Sequence, residues 1–410
     1  MSINNTDIST NGAINTDLIR PTRLEVDLDS LAWNIRQIKN GLSNGALICA
    51  SLKANAYGHG AVHIAPTLLA NGADMFSVAF LDEALELRAA GIDAPILILG
   101  ALERPRAREV ISNCLIQSIS SYSEAVALSE ESARTGVRAS VHIKLDTGMG
   151  RLGFVYGNPS AADDILAACA LPGIRAVGVF THFATADEAD PSYAERQLHD
   201  FISACADMSR RGLDIPFRHC SNSAAIAGFP HAHFNMVRPG IALYGGAGAL
   251  PGAFHRDLSL RRVMSLRTRI ALVKSIPAGA SVGYGRRFIA RRPTRIATLP
   301  IGYGDGYNRG LSCGAGSVLI GGERAPVAGL ICMDQCMVDV TDILSAQIDG
   351  EAVLFGKQGA NEITLEEIAQ ALGTIPYEVM CAISRRVPRL YLKSGGPTGC
   401  VNYVTGFSRT

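Results

Sequence analysis

The chain has little of what would direct it to a membrane, a nucleic acid or a disulfide-built scaffold. No apolar stretch reaches the roughly 20 residues of a membrane-spanning helix. Over 410 residues the 38 basic side chains and 37 acidic ones nearly cancel, so no net field draws a polyanion or an acidic bilayer. The N-terminus shows no charged stretch followed by an apolar run, so no signal peptide is expected and a cytoplasmic location is. Ten cysteines are scattered from Cys49 to Cys400, with neither disulfide-scaffold nor paired CxxC zinc spacing. Cys332 and Cys336 stand close in sequence, but no histidine or second pair completes a site. Buried thiols in a reducing compartment, and no metal centre, are the expectation. No GxGxxG follows the first apolar run, which argues against a dinucleotide site. No repeat of 20–50 residues is visible beyond an alternation of strands and helices.

What is present is a large core. Hydrophobic residues make up 48% and charged residues 18%, and the length calls for two domains. Eight short apolar runs precede residue 240: Ala46–Leu52, Met75–Ala79, Ile96–Leu99, Cys114–Ser118, Val141–Leu145, Ala176–Phe180, Pro216–Cys220 and Asn235–Arg238. Helical patterns lie between most of them, so a (β/α)8 barrel is predicted, with a doubly wound open sheet as the competing architecture. After about residue 255, glycine-punctuated strands predict a mainly antiparallel β domain. The expected organisation is therefore a loose tail over residues 1–20, a barrel over 21–255, and a β domain over 256–410. The extended stretch within residues 21–28 is open to pairing with the second domain.

In such a barrel the chemistry sits at the C-terminal ends of the strands. The first run ends in Lys53, followed by Tyr57; a primary amine there can hold an aldehyde cofactor as a Schiff base. The fifth delivers Lys144, Asp146 and Arg151. The sixth delivers Thr181 and His182, the seventh His219, Asn222 and Ser223, and the eighth Arg238, Gly240 and Ile241. Each residue alone has an ordinary reading: a surface lysine, a satisfied core histidine, an ion-pair arginine, a helix cap. Five polar strand ends together, mostly cationic, point instead to an anionic ligand, above all a phosphate.

The segment from Lys53 through Ala54-Asn55-Ala56-Tyr57-Gly58-His59-Gly60 resembles the cofactor-lysine motif of alanine racemases, pyridoxal-phosphate enzymes of fold type III. Further blocks match in the same order: Lys144–Arg151, Thr181–Asp187, His219–Ser223, Arg238–Gly245, Gly283–Arg286, Gly302–Arg309 and Cys332–Gln335. The resemblance covers nearly the whole chain after residue 20. It implies a barrel followed by a β domain, a homodimer, and a small amino-acid substrate. It further implies that Lys53 binds pyridoxal 5'-phosphate and then acts as the base for the D-enantiomer. Tyr284, from the second domain of the partner subunit, is implied as the base for the L-enantiomer, supported by His182. Two bases on opposite faces of one carbon are what racemisation requires.

Arg238 is implied to face the pyridine nitrogen, with His219 behind it; an arginine keeps that nitrogen unprotonated. Tyr57, Ser223, Gly240 and Ile241 match the phosphate cradle. Arg151 matches a residue that reaches both cofactor and substrate, and Lys144 a lysine that is often carbamylated. Met333 is implied to touch substrate, and Tyr303, Arg309 and Asp187 to line the approach.

Two positions depart from the pattern. Arg385 stands where many members place a phosphate-touching tyrosine, and Leu330 where some carry an arginine. The expectation is that Arg385 either contacts the phosphate or alters substrate choice, in a pocket kept small by Tyr303 and Met333. The alternative function is a serine or broad-specificity racemase of the same fold. A type III decarboxylase would set an acid against the ring nitrogen, where this chain has Arg238. A non-catalytic cofactor carrier would need no second domain with Tyr284 and Met333. A plain structural α/β protein leaves the strand ends unaccounted for. The product expected is D-alanine, for peptidoglycan, or L-alanine for breakdown.

Overall fold

Short runs of apolar residues with both faces covered form strands, and here eight of them close into a ring. The computed structural model describes residues 19–43, 45–246 and 258–409; the stretch Met1–Asp17, expected to be loose, lies outside the described residues. The described chain forms two units, residues 31–261 and residues 19–30 with 262–409.

In the first unit the barrel strands are, in order, Leu47–Ser51, Met75–Val78, Ile96–Ile98, Ile116–Ile119, Ala139–Asp146, Ile174–Phe180, Phe217–His219 and Met236–Val237. Each pairs in parallel with the next, from the first to the seventh, and the eighth pairs in parallel with the first. Between the seventh and eighth there is no strand ladder. Asn235 closes that seam with its side chain. Its Oδ1 accepts from the Arg218 N–H at 2.8 Å and its Nδ2 donates to the Pro216 carbonyl at 2.6 Å. Its own carbonyl accepts from Leu47 N at 2.9 Å.

The inner strands are buried residue after residue, the pattern of a parallel sheet covered on both faces. Helices supply the outer cover. The helix Tyr122–Thr135 begins at Ser121, whose side chain accepts from Glu124 N, and ends at left-handed Gly136. The interior is filled rather than hollow: Cys49, Met75, Leu97 and Met236 form one apolar layer, packed by Leu47, Leu99, Ile116 and Phe217.

The second unit is built on a mainly antiparallel sheet with the strand Arg23–Asp27 near its centre. That strand runs antiparallel to Met264–Arg269 and parallel to Arg389–Lys393. A three-stranded sheet of Leu272–Ile276, Thr294–Leu299 and Cys336–Asp339 is separate. Arg20, at the end of the expected tail, donates to buried Asp305 at 2.6 and 2.8 Å and to the Pro300 carbonyl at 2.9 Å.

Candidate active site

Leu52 N donates to the Ser77 carbonyl at 2.8 Å, which fixes the end of the first barrel strand. The chain then makes a left-handed turn: Ala54, Asn55, Ala56 and Tyr57 all have φ between 52° and 55°. L-residues adopt this conformation at a cost of about 1–2 kcal/mol each, so four in succession must be held from outside. Ala54 N donates to Glu83 Oε1 at 2.6 Å, and Asn55 Oδ1 accepts from Ala61 N at 2.8 Å. His59 stacks on Tyr244 with ring centroids 4.4 Å apart, and Tyr244 donates to the Ser51 carbonyl. The turn leaves Lys53 Nζ 5.9 Å from the centre of the Tyr57 ring.

The fifth strand carries Lys144, only 4% exposed, with its Nζ 4.6 Å from the centre of the Phe180 ring. Burial, then the nearby Arg238 and Arg151 cations, hold its amine well below the ordinary lysine range. Asp146 is the acid beside it. Asp146 Oδ1 is occupied by its own loop, accepting from the Gly148 and Gly150 N–H groups at 3.0 Å each. Arg151 follows that loop and is exposed.

Arg238, at the end of the eighth strand, is buried and donates four ways. Its guanidinium reaches His219 Nδ1 at 2.7 Å, the Thr181 carbonyl at 2.8 Å, and the Cys220 carbonyl and His182 Nδ1 at 3.3 Å each. Burial lowers its pKa to about 10. Burial and the Arg238 cation likewise hold His182 and His219 well below the usual histidine range, so both rings are neutral at pH 7. His219 stacks flat on Phe180, centroids 4.8 Å apart.

Beside them lies a small polar cradle. Ser223 Oγ accepts from Gly240 N at 2.9 Å and from Ala242 N at 3.2 Å, leaving the Ile241 N–H outside that pair. A Cβ at Gly240 would stand 2.5 Å from the Tyr57 hydroxyl, so only glycine lets the two approach. Hydroxyls, backbone N–H groups and the basic side chains of Lys53, Arg151 and Arg238, with Asp146 turned into its own loop, suit a phosphorylated anionic cofactor.

The second unit holds the other residues singled out in the sequence. Tyr284 lies in the turn Tyr284–Arg286 and is 71% exposed. With Gly283, Cys332, Met333, Asp334 and Gln335 it lines a hollow of about 550 Å³. Leu330 borders the same turn: a Cβ at Gly283 would stand 3.5 Å from its carbonyl oxygen. Tyr303 N donates to the Cys332 carbonyl at 3.0 Å and Gly304 N to the Met333 carbonyl at 2.9 Å, so the loops carrying Tyr303 and Met333 are stitched together. Arg386 reinforces them, 2.7 Å from Asp334 and 3.5 Å from Asp305. Arg385 is exposed, with its guanidinium 5.0 Å from the centre of the Tyr403 ring. Arg309 and Asp187 lie on exposed turns, in the second and first unit respectively.

One residue of the cluster escaped the reading of strand ends. His142, in the middle of the fifth strand, has Nδ1 2.8 Å from His219 Nε2. The signal was there: it lies two residues before Lys144 and hence on the same face of the strand. Among the described residues no group of three or more His, Cys, Asp or Glu is placed to hold a metal, and no helix is long and apolar enough to cross a membrane.

Comparison with known proteins gives one family. Residues 26–248 match the alanine racemase N-terminal domain and residues 263–391 the alanine racemase C-terminal domain. The chain is 45% identical over 388 residues to an alanine racemase of Clostridium tetani, covering 94% of this chain and 99% of that one. It is 43% identical to alanine racemase 2 of Caldanaerobacter subterraneus subsp. tengcongensis, covering 95% and 99%. The solved structure of alanine racemase from Clostridium difficile 630 superimposes with a TM-score of 0.90 at 38% identity, covering 94% of this chain and all of that one.

Proposed function

The chain belongs to the alanine racemase family and interconverts L- and D-alanine with pyridoxal phosphate, and we propose the residues by which it does so. The observation that carries this reading is the convergence of Lys53, Lys144, Arg151 and Arg238 on the strand ends around His182, with Asp146, the acid beside Lys144, bound to its own loop. Lys53 holds the cofactor. Tyr57, Ser223 and the N–H groups of Gly240 and Ile241 hold its phosphate, and Arg238 faces its ring nitrogen as a donor that does not release a proton. Bound pyridoxal phosphate supplies an electron sink for the pair left when the α-proton departs.

The remaining work is proton transfer and orientation. Lys53 takes or returns the proton on one face of the alanine α-carbon and Tyr284 on the other. His182 Nδ1 accepts from Arg238, so its ring proton sits on Nε2. In this reading that N–H donates to the Tyr284 oxygen and steadies its charge when Tyr284 has lost its proton. Arg151 binds the substrate carboxylate. A neutral Lys144 amine is the form that adds carbon dioxide, releasing a proton, and the resulting carbamate gives Arg151 an anion to pair with. Met333 and Tyr303 bound the substrate space, and Arg385 tunes it.

The working unit in this reading is a homodimer, with Tyr284 and Met333 serving the partner's barrel; their exposure, 71% and 53%, fits residues that meet another surface. The enzyme works in the cytoplasm, consistent with ten free thiols. It supplies D-alanine for peptidoglycan or L-alanine for breakdown.

The test is racemisation of L-alanine by purified protein with added pyridoxal phosphate, read by chiral chromatography, with Lys53→Ala as control and serine and lysine as competing substrates. D-alanine formation that is lost in the control is expected. Turnover of serine or lysine at rates comparable to alanine would overturn the small-pocket reading.

A further inference from the structure

The barrel mouth holds a buried histidine that the proposed chemistry leaves unused. His142 is fully buried in the middle of the fifth strand. The direction of the hydrogen bonds leading to it can be deduced. A guanidinium only donates, so His219 Nδ1, 2.7 Å from Arg238, accepts and carries no proton. In a neutral imidazole the proton then sits on His219 Nε2. That nitrogen is 2.8 Å from His142 Nδ1, which therefore accepts in its turn. His142 is left with its proton on Nε2, which has no hydrogen-bond partner among the described residues.

The packing fixes both rings. Phe180 stacks on His219 at an interplanar angle of 3°. Gly178 makes room for His142: a Cβ there would stand 2.5 Å from its ring atoms. Burial and the Arg238 cation lower the His142 pKa to about 3, so the ring stays neutral at working pH. An unpaired buried N–H stands at the far end of the chain while the donors of Arg238 and His219 that form it each meet an acceptor, the arrangement expected if the near end is what must be held.

We propose that His142 is a positioning residue: as the terminal acceptor of a one-way chain from Arg238 through His219, it locks the His219 tautomer whose bare Nδ1 faces the guanidinium, and so fixes Arg238 at the barrel mouth. The other tautomer of His219 would set donor against donor and release Arg238. The consequence for catalysis rests on the reading that Arg238 faces the cofactor ring; the hydrogen-bond chain does not.

Two measurements test it separately. Long-range 1H–15N NMR of the cofactor-free protein at pH 7 reads the tautomers directly. Expected are an unprotonated Nδ1 and protonated Nε2 on both His219 and His142. His142→Asn keeps an acceptor oxygen in place of Nδ1 and should preserve the His219 tautomer and kcat within about threefold. His142→Leu removes the acceptor and should mix the His219 tautomers and lower kcat about 10–30-fold, with KM for alanine moving less than about threefold. A proton on His219 Nδ1 in the unaltered protein, or a His142→Leu protein with unchanged tautomer and kcat, would overturn the proposal. If His142→Leu fails to fold, the spectrum of the unaltered protein still decides. If that protein shows the expected tautomers but racemises no alanine, the functional reading fails and the chain of bonds stands.

Discussion

The barrel mouth and the Tyr284 turn solve opposite problems. The mouth is assembled from basic side chains and neutral histidines at strand ends, with Arg238 and His219 buried and joined by hydrogen bonds. The Tyr284 patch is exposed, carried on turns, and held mainly by backbone bonds between neighbouring loops and by Arg386. A site that must hold a charged cofactor gains from low dielectric and fixed dipoles. A site that must meet substrate at another surface stays open until that surface arrives. In the proposed reading, cofactor binding is the task of the barrel residues and the second base that of the Tyr284 turn.

The sharpest way to break this division is to remove one base from each side. Lys53→Ala should abolish racemisation and covalent cofactor attachment together. Tyr284→Phe should lower racemisation by about 10²–10⁴-fold and leave the cofactor spectrum intact. Loss of the cofactor spectrum in Tyr284→Phe would refute the separation.

Mixing the two inactive proteins under conditions that exchange subunits sharpens it further. Half of the dimers would be mixed, each with one of its two sites intact, so about a quarter of normal activity should return. Recovery of none would place Lys53 and Tyr284 of one site on the same chain.

A smaller effect concerns acid. His142 and His219 are buried and neutral, with pKa values held below 6.5 in the folded protein. The unfolded chain takes up their protons below about pH 6.5 while the folded chain does not, so their contribution is complete above that pH. It declines as pH falls from about 6.5 toward 3, with a slope of up to about 2.7 kcal/mol per pH unit for the pair. Denaturant titrations across this range should show the loss, and His142→Asn should shallow it. An equally steep decline in that variant would assign the acid sensitivity elsewhere.

The smallest effect lies in the left-handed turn. Ala54→Gly should raise stability by about 1 kcal/mol if relief of the positive φ outweighs the added freedom of the unfolded chain. Unchanged or lower unfolding midpoints would mean that this freedom dominates.

Much of this was legible in the sequence, and the reasons differ by element. Apolar runs marked all eight barrel strands, because strands buried on both faces leave a continuous signal. The apolar pattern predicts the fourth over Cys114–Ser118, whereas it lies at Ile116–Ile119, since Cys114 takes a positive φ as the preceding helix ends. Polar strand ends stood out against those runs, which made Lys53, Arg238 and His219 visible. His142 did not stand out, because a polar residue inside a strand reads as alternation rather than as a terminus. In the second unit, Met264–Arg269 alternates buried with more exposed positions and Gly396–Asn402 opens on glycine, proline and threonine, so neither offers an apolar run to detect. The left-handed turn was also hidden: Ala54-Asn55-Ala56 reads as a loop, and its conformation is imposed by Glu83, Ala61 and Leu52.

Asn235 leaves the barrel with one joint unlike the other seven. Every other junction is a backbone ladder, which can slip only by breaking several bonds together. This one is a side-chain clasp at the base of the ring, with the Arg238 N–H bond to the Ser221 carbonyl at 2.9 Å nearer the mouth. The two strands it joins are those that deliver His219 and Arg238. The ring is therefore closed, at this one joint, by a few separate bonds rather than a ladder, and the register of His219 against Arg238 depends on the side chain of Asn235.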